Sequence, residues 1–250
     1  MLKNYLLVGI RNLKRQSLYS LINILGLTVG ICCVSLILLF VRHEVTYDKH
    51  HSDSDKIYRL DFAGKINDSE FITCLMSAPS GPVLAQDFPD YFEDSFRFRL
   101  SGNWFLRKED SRQNFKEENV LYADSNLFAF WDLPLLYGSP ENALNKPKTL
   151  VLSRSLSEKI FGKINPVGQI LILDNEEPWT VGAVFEDIPD NSHFDADVFL
   201  TMLSRSEAHR GIWMSFNFHT YFKTKAGADL AFIEEELNRY IPEKYLGPEI

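Results

Sequence analysis

Cysteine is scarce in this chain and poorly placed for cross-linking. Of three, Cys32 and Cys33 lie inside a long apolar run and Cys74 stands alone beyond it, so no disulfide can form in the polar part, which must be held by its core. Cys-x-x-Cys pairs and zinc-knuckle spacings are missing. So is G-x-x-x-x-G-K-[ST], which excludes a P-loop ATPase in this chain, and no G-x-S-x-G surrounds a serine. Internal repeats and low-complexity stretches are also lacking. No acidic residue precedes Glu44; residues 42–250 then carry 22 basic against 34 acidic residues, a net of −12 where the whole chain has −8. A surface of that sign excludes nucleic acid as a partner, favours solubility and could suit a cationic ligand.

What is present first is Leu21–Val41, LINILGLTVGICCVSLILLFV, 21 residues without a charge. At about 1.5 Å per residue, a helix of this length crosses a hydrocarbon core of roughly 30 Å. Fourteen of the residues are Leu, Ile, Val or Phe, and together they favour insertion by about 4–8 kcal/mol. Lys3, Arg11, Lys14 and Arg15 precede the run, while Arg42 after it is soon outnumbered by acidic residues. The positive-inside rule then orients the chain, with a cytoplasmic N-terminus and an exported remainder. Bulky residues to the end of the run, Leu38–Arg42, argue for an uncleaved anchor over a signal peptide.

Before the anchor, Leu2, Tyr5, Leu6, Ile10 and Leu13 recur at three- and four-residue steps. Residues 1–20 therefore read as a short amphipathic helix at the inner membrane surface, its basic side on anionic headgroups. Within the run, Gly26 and Gly30 form G-x-x-x-G, which lets a second helix approach closely, and Asn23 is a polar residue able to hydrogen-bond across such a contact. The chain has no second apolar run of comparable length, so a partner helix must come from another chain or from a longer version of this one.

Residues 42–250 suffice for one large domain or two small ones. Strands are predicted at Ile57–Phe62, Phe71–Leu75, Ser95–Leu100 (arginines on one face), Asn119–Ala123, Leu133–Tyr137, Thr149–Leu152, Gln169–Leu173, Trp179–Glu186, Asp197–Met202 and Phe216–Lys223. A helix opens at Ser77-Ala78-Pro79, with Ser77 as its cap. Arg154–Phe161 is another, capped by Ser153 and stopped by Gly162, and Leu230–Tyr240 is a third. Asp124 and Ser125 are placed to cap an aromatic turn at Leu127–Trp131, and Arg107–Glu118 reads as a polar hairpin or loop with little core content. Strands and helices mix without regular βαβ alternation, so the fold class is α+β: one N-terminal transmembrane helix followed by a mixed α+β extracytoplasmic domain.

Candidates for chemistry are few. His50-His51 with Asp53 and Asp55 has metal-ligand residue types, but adjacent histidines in a strand face opposite ways, so a solvated linker is the better reading. His193, Asp195 and Asp197 would share one face of a strand, yet no flanking ligands join them. Ser153 is better explained as a cap than as a nucleophile, and Ser155 has no nucleophile motif around it. The paired acids Glu117-Glu118, Glu176-Glu177 and Glu234–Glu236 fall in turns or on solvated faces. No catalytic constellation emerges, so the chain reads as a non-enzyme without a cofactor of its own.

RNLKRQSLYSLINILGLTVGICC (Arg11–Cys33) resembles the start of the FtsX-like/MacB-like ABC-transporter permeases. Glu44-x-x-Tyr47-Asp48, IYRL (Ile57–Leu60), VLYAD (Val120–Asp124), FAFWDLPLLYGSPENAL (Phe128–Leu144), LVLSRSLSEKIFG (Leu150–Gly162), NPVGQ (Asn165–Gln169) and VGAVFEDIPDNSHF (Val181–Phe194) are similar to that family's segments and run in its order, most like the Bacteroidetes-type members. The resemblance implies a MacB-like periplasmic core domain, of two subdomains, in the bacterial inner membrane. It further implies a second permease copy, and a cytoplasmic P-loop ATPase subunit of the MacB/LolD type that binds the ATP and drives motion through the anchor. Family substrates include antimicrobial peptides, macrolides and lipoproteins. Family members carry at least three further transmembrane helices, so the resemblance implies the N-terminal part of a permease. The alternative from another class is a single-pass sensor or ligand-binding module.

Overall fold

The computed structural model describes residues 2–49, 51, 53–66 and 69–246. They divide into two compact units, Met1–Asp48 and Lys49–Ile250. In the first, α1 (Leu2–Arg15) is followed at Gln16 (φ −117°, ψ 53°) by α2 (Ser17–Val45). At 29 residues α2 is longer than the uncharged run and spans about 44 Å. It is long and apolar enough to cross a membrane, and none of its residues is buried. Its last turn carries Arg42 and His43, the favourable sign at a helix C-terminus. Tyr5 and Leu13 of the expected amphipathic face are exposed, as are Arg11, Lys14 and Arg15. The side chains of Leu2, Lys3, Leu6 and Ile10 lie outside what the structure describes.

The second unit is mixed α+β. Its strands are β1 (Ile57–Leu60), β2 (Phe62–Ile66), β3 (Ser69–Thr73), β4 (Met76–Ser77), β5 (Phe92–Lys108), β6 (Phe115–Ala123), β7 (Leu135–Tyr137), β8 (Thr149–Ser153), β9 (Ile170–Leu173), β10 (Glu177–Phe185), β11 (Val198–Thr201) and β12 (Phe216–Thr224). Its helices are α3 (Ser80–Asp87), α4 (Leu127–Trp131), α5 (Pro140–Ala143), α6 (Arg154–Phe161) and α7 (Leu230–Ile241). β2 and β3 form a separate hairpin, and the remaining strands form one sheet.

That sheet closes on itself. β5 pairs with β6, β6 with β11, β11 with β8, β8 with β10, β10 with β9, and β9 returns to β5 through Leu106 opposite Leu173. The result is a six-stranded barrel, extended beyond β5 by β12 and β1. Closure needs strong local curvature, and β-bulges supply it. The register of β5 shifts at Gly102 (φ +79°), and that of β10 shifts between Val181 and Ala183. Each bulge also exchanges faces. Phe96 and Phe98 belong to the outer core with α4, Phe185, Phe194 and Phe199, while Trp104 and Leu106 of the same strand belong to the inner core with Leu150, Leu152, Leu171, Val181 and Leu200. Sheet residues are thus buried on both sides, which is why β8 and β11 are apolar runs without alternation. A third cluster, Leu84, Phe92, Phe222, Ile233 and Leu237, seats α3 and α7 on the sheet extension.

Several local expectations hold. Ser153 Oγ accepts from Leu156 N and Gly162 (φ +74°) ends α6. Three others are corrected. Arg107–Glu118 is not a coreless loop: Arg107 and Lys108 pair with β9, and Glu117 is buried, its charge met by Lys159 Nζ at 2.6 Å. α3 begins at Ser80 and not at Ser77, which lies in β4 and shares a 2.7 Å hydroxyl contact with Ser80. Asp124 does not cap α4 with its side chain, because its carboxylate is bound to Arg97.

Candidate functional site

Three arrangements of side chains stand out. The first is the face of α2. Gly26 and Gly30 are one turn apart, and a Cβ added at either meets nothing within 4 Å. Thr28 donates its hydroxyl back to Ile24 O at 2.7 Å, so that polar atom is satisfied within the helix. Asn23 sits in a cleft of about 480 Å³ on the inside of the bend at Gln16, with Asn12, Leu13 and Tyr19. Gly26 and Gly30 thus leave a groove on the helix, between exposed Ile and Leu side chains.

The second lies where the chain enters the second unit, six residues after α2 ends. His51 is 4 % exposed, and its Nδ1 donates to the Trp131 carbonyl at 2.6 Å. Only this tautomer fits, because a carbonyl oxygen can only accept. The imidazole also packs 4.9 Å from the Trp131 ring and stacks at 6.2 Å on Phe194. Two residues later, Asp53 binds Lys56 at 2.8 Å and Lys223 of β12 at 2.6 Å. Those bonds, Lys223's first, hold the Asp53 carboxyl down at about 2. Thr224 Oγ1 donates to Lys56 O at 3.2 Å. The same aromatic patch takes in His193, 5.2 Å from Trp131, and His219, 4.8 Å from Phe98. Burial, with Arg59 and His193 nearby, pushes the His219 pKa down.

The third is a buried arginine. Arg97 of β5, 6 % exposed, forms a two-pronged pair with Asp124 at 2.8 and 2.9 Å, and its backbone N–H donates to the same carboxylate. Its remaining nitrogen donates to the carbonyls of Ala78 and Ala208. One side chain thus ties together β5, the turn after β6, the lead into α3 and the segment after β11. Gly81 makes room for it, since a Cβ there would lie 3.1 Å from Arg97 Cγ and Cδ.

The residues singled out in the sequence do not converge. His50 lies outside the described residues. His51, Asp53 and Asp55 part company: the first enters the aromatic patch, the second binds lysines, and the third offers its carbonyl to Tyr58. His193, Asp195 and Asp197 fall in a loop and not on a strand face. There Asp195 accepts from Asn119 Nδ2 at 2.7 Å and Asp197 from Ser153 Oγ at 3.0 Å, while His193 turns to the aromatics. Burial, with Asp197 and Asp190 close by, raises the Asp195 pKa. Ser155 donates to Asp187 at 2.7 Å. Among the described residues no cluster of three or more His, Cys, Asp or Glu is arranged to hold a metal ion. The seats of His51 and Arg97 escaped the sequence reading. Arg97 alone left a signal, an arginine inside an alternating aromatic strand.

A family model described as the MacB-like periplasmic core domain matches residues 20–240. Among solved structures, a domain of a protein described as a permease, from Porphyromonas gingivalis, is similar over 80 % of this chain and 85 % of its own, with 22 % identity and a TM-score of 0.71. The periplasmic region of MacB from Actinobacillus actinomycetemcomitans is similar over 66 % of this chain and 72 % of its own, with 16 % identity and a TM-score of 0.51. At these identities the likeness is one of fold. No curated protein matches the chain.

Proposed function

The chain belongs to the MacB-like periplasmic core domain family, and on that premise we propose that it is the N-terminal part of an ABC-transporter permease subunit. α2 anchors it in the bacterial inner membrane with the N-terminus in the cytoplasm, and the barrel domain works in the periplasm. Its task is mechanical and substrate-handling, not catalytic. Nucleotide is bound by a separate cytoplasmic P-loop ATPase of the MacB/LolD type, a second permease copy completes the pair, and the substrate is an envelope molecule for efflux or lipoprotein release. One observation carries the reading: a single apolar helix leads within six residues into a domain whose first described residue after Lys49, His51, is locked into the core. A displacement that reached His51 would act on a residue bonded into the core of the barrel domain. Lys3, Arg11, Lys14 and Arg15 ahead of α2, with no acid among them, support the orientation.

Protease treatment of spheroplasts bearing a C-terminally tagged chain tests this reading. The tag and barrel domain should be digested while an N-terminal tag survives. The reverse pattern would overturn the orientation and with it the mechanical role.

A further inference from the structure

The sheet extension ends in an open edge. β1 pairs with β12 from Ile57 opposite Lys223 to Leu60 opposite Thr220, and among the described residues no strand pairs with its other side. Alternate N–H and C=O groups of β1 therefore point outward, a row of donors and acceptors that another extended backbone matches group for group. Tyr58, Arg59 and Asp61 along this edge are all exposed.

Beside the edge lies a slot. α7 packs on the sheet extension through Ile233 and Leu237, and a space of about 460 Å³ remains between it and β1. Leu60, Phe92 and Phe222 form the floor of the slot, and Leu230, Ile233 and Leu237 its far wall. Tyr58 and Leu230, on its two sides, are 39 % and 41 % exposed. Tyr58 and Leu60 share a sheet face with their partners Phe222 and Thr220, so the slot lies over that face. A strand laid along β1 turns every second side chain to the same face. An edge strand and a helix flanking one apolar slot is the arrangement of strand-addition sites, where main-chain bonds supply affinity and the slot sorts alternate side chains.

Charge decides which strand fits. Arg59 is committed to Asp61 at 2.7 Å, whereas Glu234, exposed at the rim of the slot, has no ion-pair partner among the described residues. Residues 42–250 carry a net charge of −12, which sets a second copy of the domain against the first and draws in a basic segment.

We propose that the β1 edge and the slot under α7 hold an extended segment of a partner protein, apolar at alternate positions and basic at its flanks, added to the sheet as a strand. This interface takes nothing from the transport reading.

The probe is a fluorescein-labelled peptide of seven residues, valine and threonine alternating between terminal lysines. It is titrated by fluorescence anisotropy into the full chain in phosphatidylcholine nanodiscs. Saturable binding is expected, with slowed amide exchange confined to β1 and α7. Proline in place of the central valine removes a donor and breaks the strand, and should weaken binding tenfold or more. Leu230→Ser, at an exposed position, should weaken it about fivefold or more, and Glu234→Gln about two- to fivefold at low salt, each with circular dichroism unchanged. Equal binding of the proline peptide would mean that the slot takes apolar groups and no strand is added. Protection of β1 in the peptide-free chain that disappears on dilution would give the edge to a second copy. Either result, or no saturable binding, would overturn the proposal.

Discussion

His51 Nδ1 and the Trp131 carbonyl oxygen, 80 residues apart in sequence, meet at 2.6 Å in a buried site. The bond fixes the start of the barrel domain to the last turn of α4. His51→Ala removes the donor and leaves the carbonyl buried, a cost of about 1–3 kcal/mol. The urea midpoint should fall accordingly, with faster amide exchange concentrated in α4. Exchange rising evenly over the whole domain would mean that His51 is ordinary core and not a local fastener.

Arg97 and Asp124 make a stronger case of the same kind. Each is committed to the other in two-pronged geometry, and Arg97 also satisfies two backbone carbonyls. Asp124→Asn leaves a buried guanidinium without a counter-charge and should cost about 3–5 kcal/mol in urea unfolding. Arg97→Met combined with Asp124→Leu should cost less than the sum of the two single changes, because no lone charge remains. Strict additivity would show that the pair is not a coupled unit.

These two contacts also mark what could be read in the sequence. Local chemistry was legible: the Ser153 cap and the Gly162 stop. The continuous apolar runs of β8 and β11 were legible too. Closure of the barrel was not, because the pairing of Leu106 with Leu173 joins segments whose own patterns say nothing about each other. Face-switching bulges hid the rest. A period-2 reading of β5 loses its phase at Gly102, so its partner residues Phe115, which packs on the inner core, and Glu117, which is buried, looked like loop. Charged residues on one face of β6, Lys116 and Glu118, reinforced the wrong impression.

Gly182, at the bulge of β10, gives a sharper test of that architecture. A Cβ there would stand 2.1 Å from Ala143 O and 2.6 Å from Thr149 Cγ2. The first is backbone and cannot turn aside, so Gly182→Ala must push α5 off the barrel. A loss of about 1–3 kcal/mol, typical of overpacking, is expected in thermal unfolding. A Gly168→Ala control probes strain without a clash: nothing lies within 4 Å of its Cβ, but its φ is +86°. It should lose less. A larger loss at Gly168 would put backbone strain, and not the α5 contact, in control.

Stability should fall with pH in two steps. The pKa of His219 is lowered in the folded state by burial and by Arg59 and His193, with Asp61 opposing weakly. A base with a depressed folded pKa keeps its full contribution above its unfolded pKa, near 6.5, and loses it as pH falls below that value. His219→Phe, which keeps the packing against Phe98, should flatten this first step. The second step belongs to Asp53, an acid depressed from 3.8 to about 2, whose contribution is lost between those values. Unfolding midpoints measured from pH 8 to pH 3 should show the first step vanish in the variant while the onset of the second remains. A first step left intact would assign it to another histidine.

The groove on α2 makes its prediction in lipid. Gly26 and Gly30 leave open space on one face, and nothing in the first unit fills it. In a bilayer no hydrophobic force drives helices together, because lipid tails are as apolar as leucine; close backbone approach and the dispersion contact it allows must supply the affinity. Gly26→Leu with Gly30→Leu keeps the helix apolar and improves its intrinsic propensity, so insertion should be unchanged or slightly better. Only close approach is lost. Cysteine-specific crosslinking between copies in native membranes, through Cys32 and Cys33 in the same helix, should therefore fall several-fold while membrane content holds steady. Crosslinking that survives both leucines would mean that the copies meet elsewhere, or that α2 is a plain anchor and its glycines carry no contact.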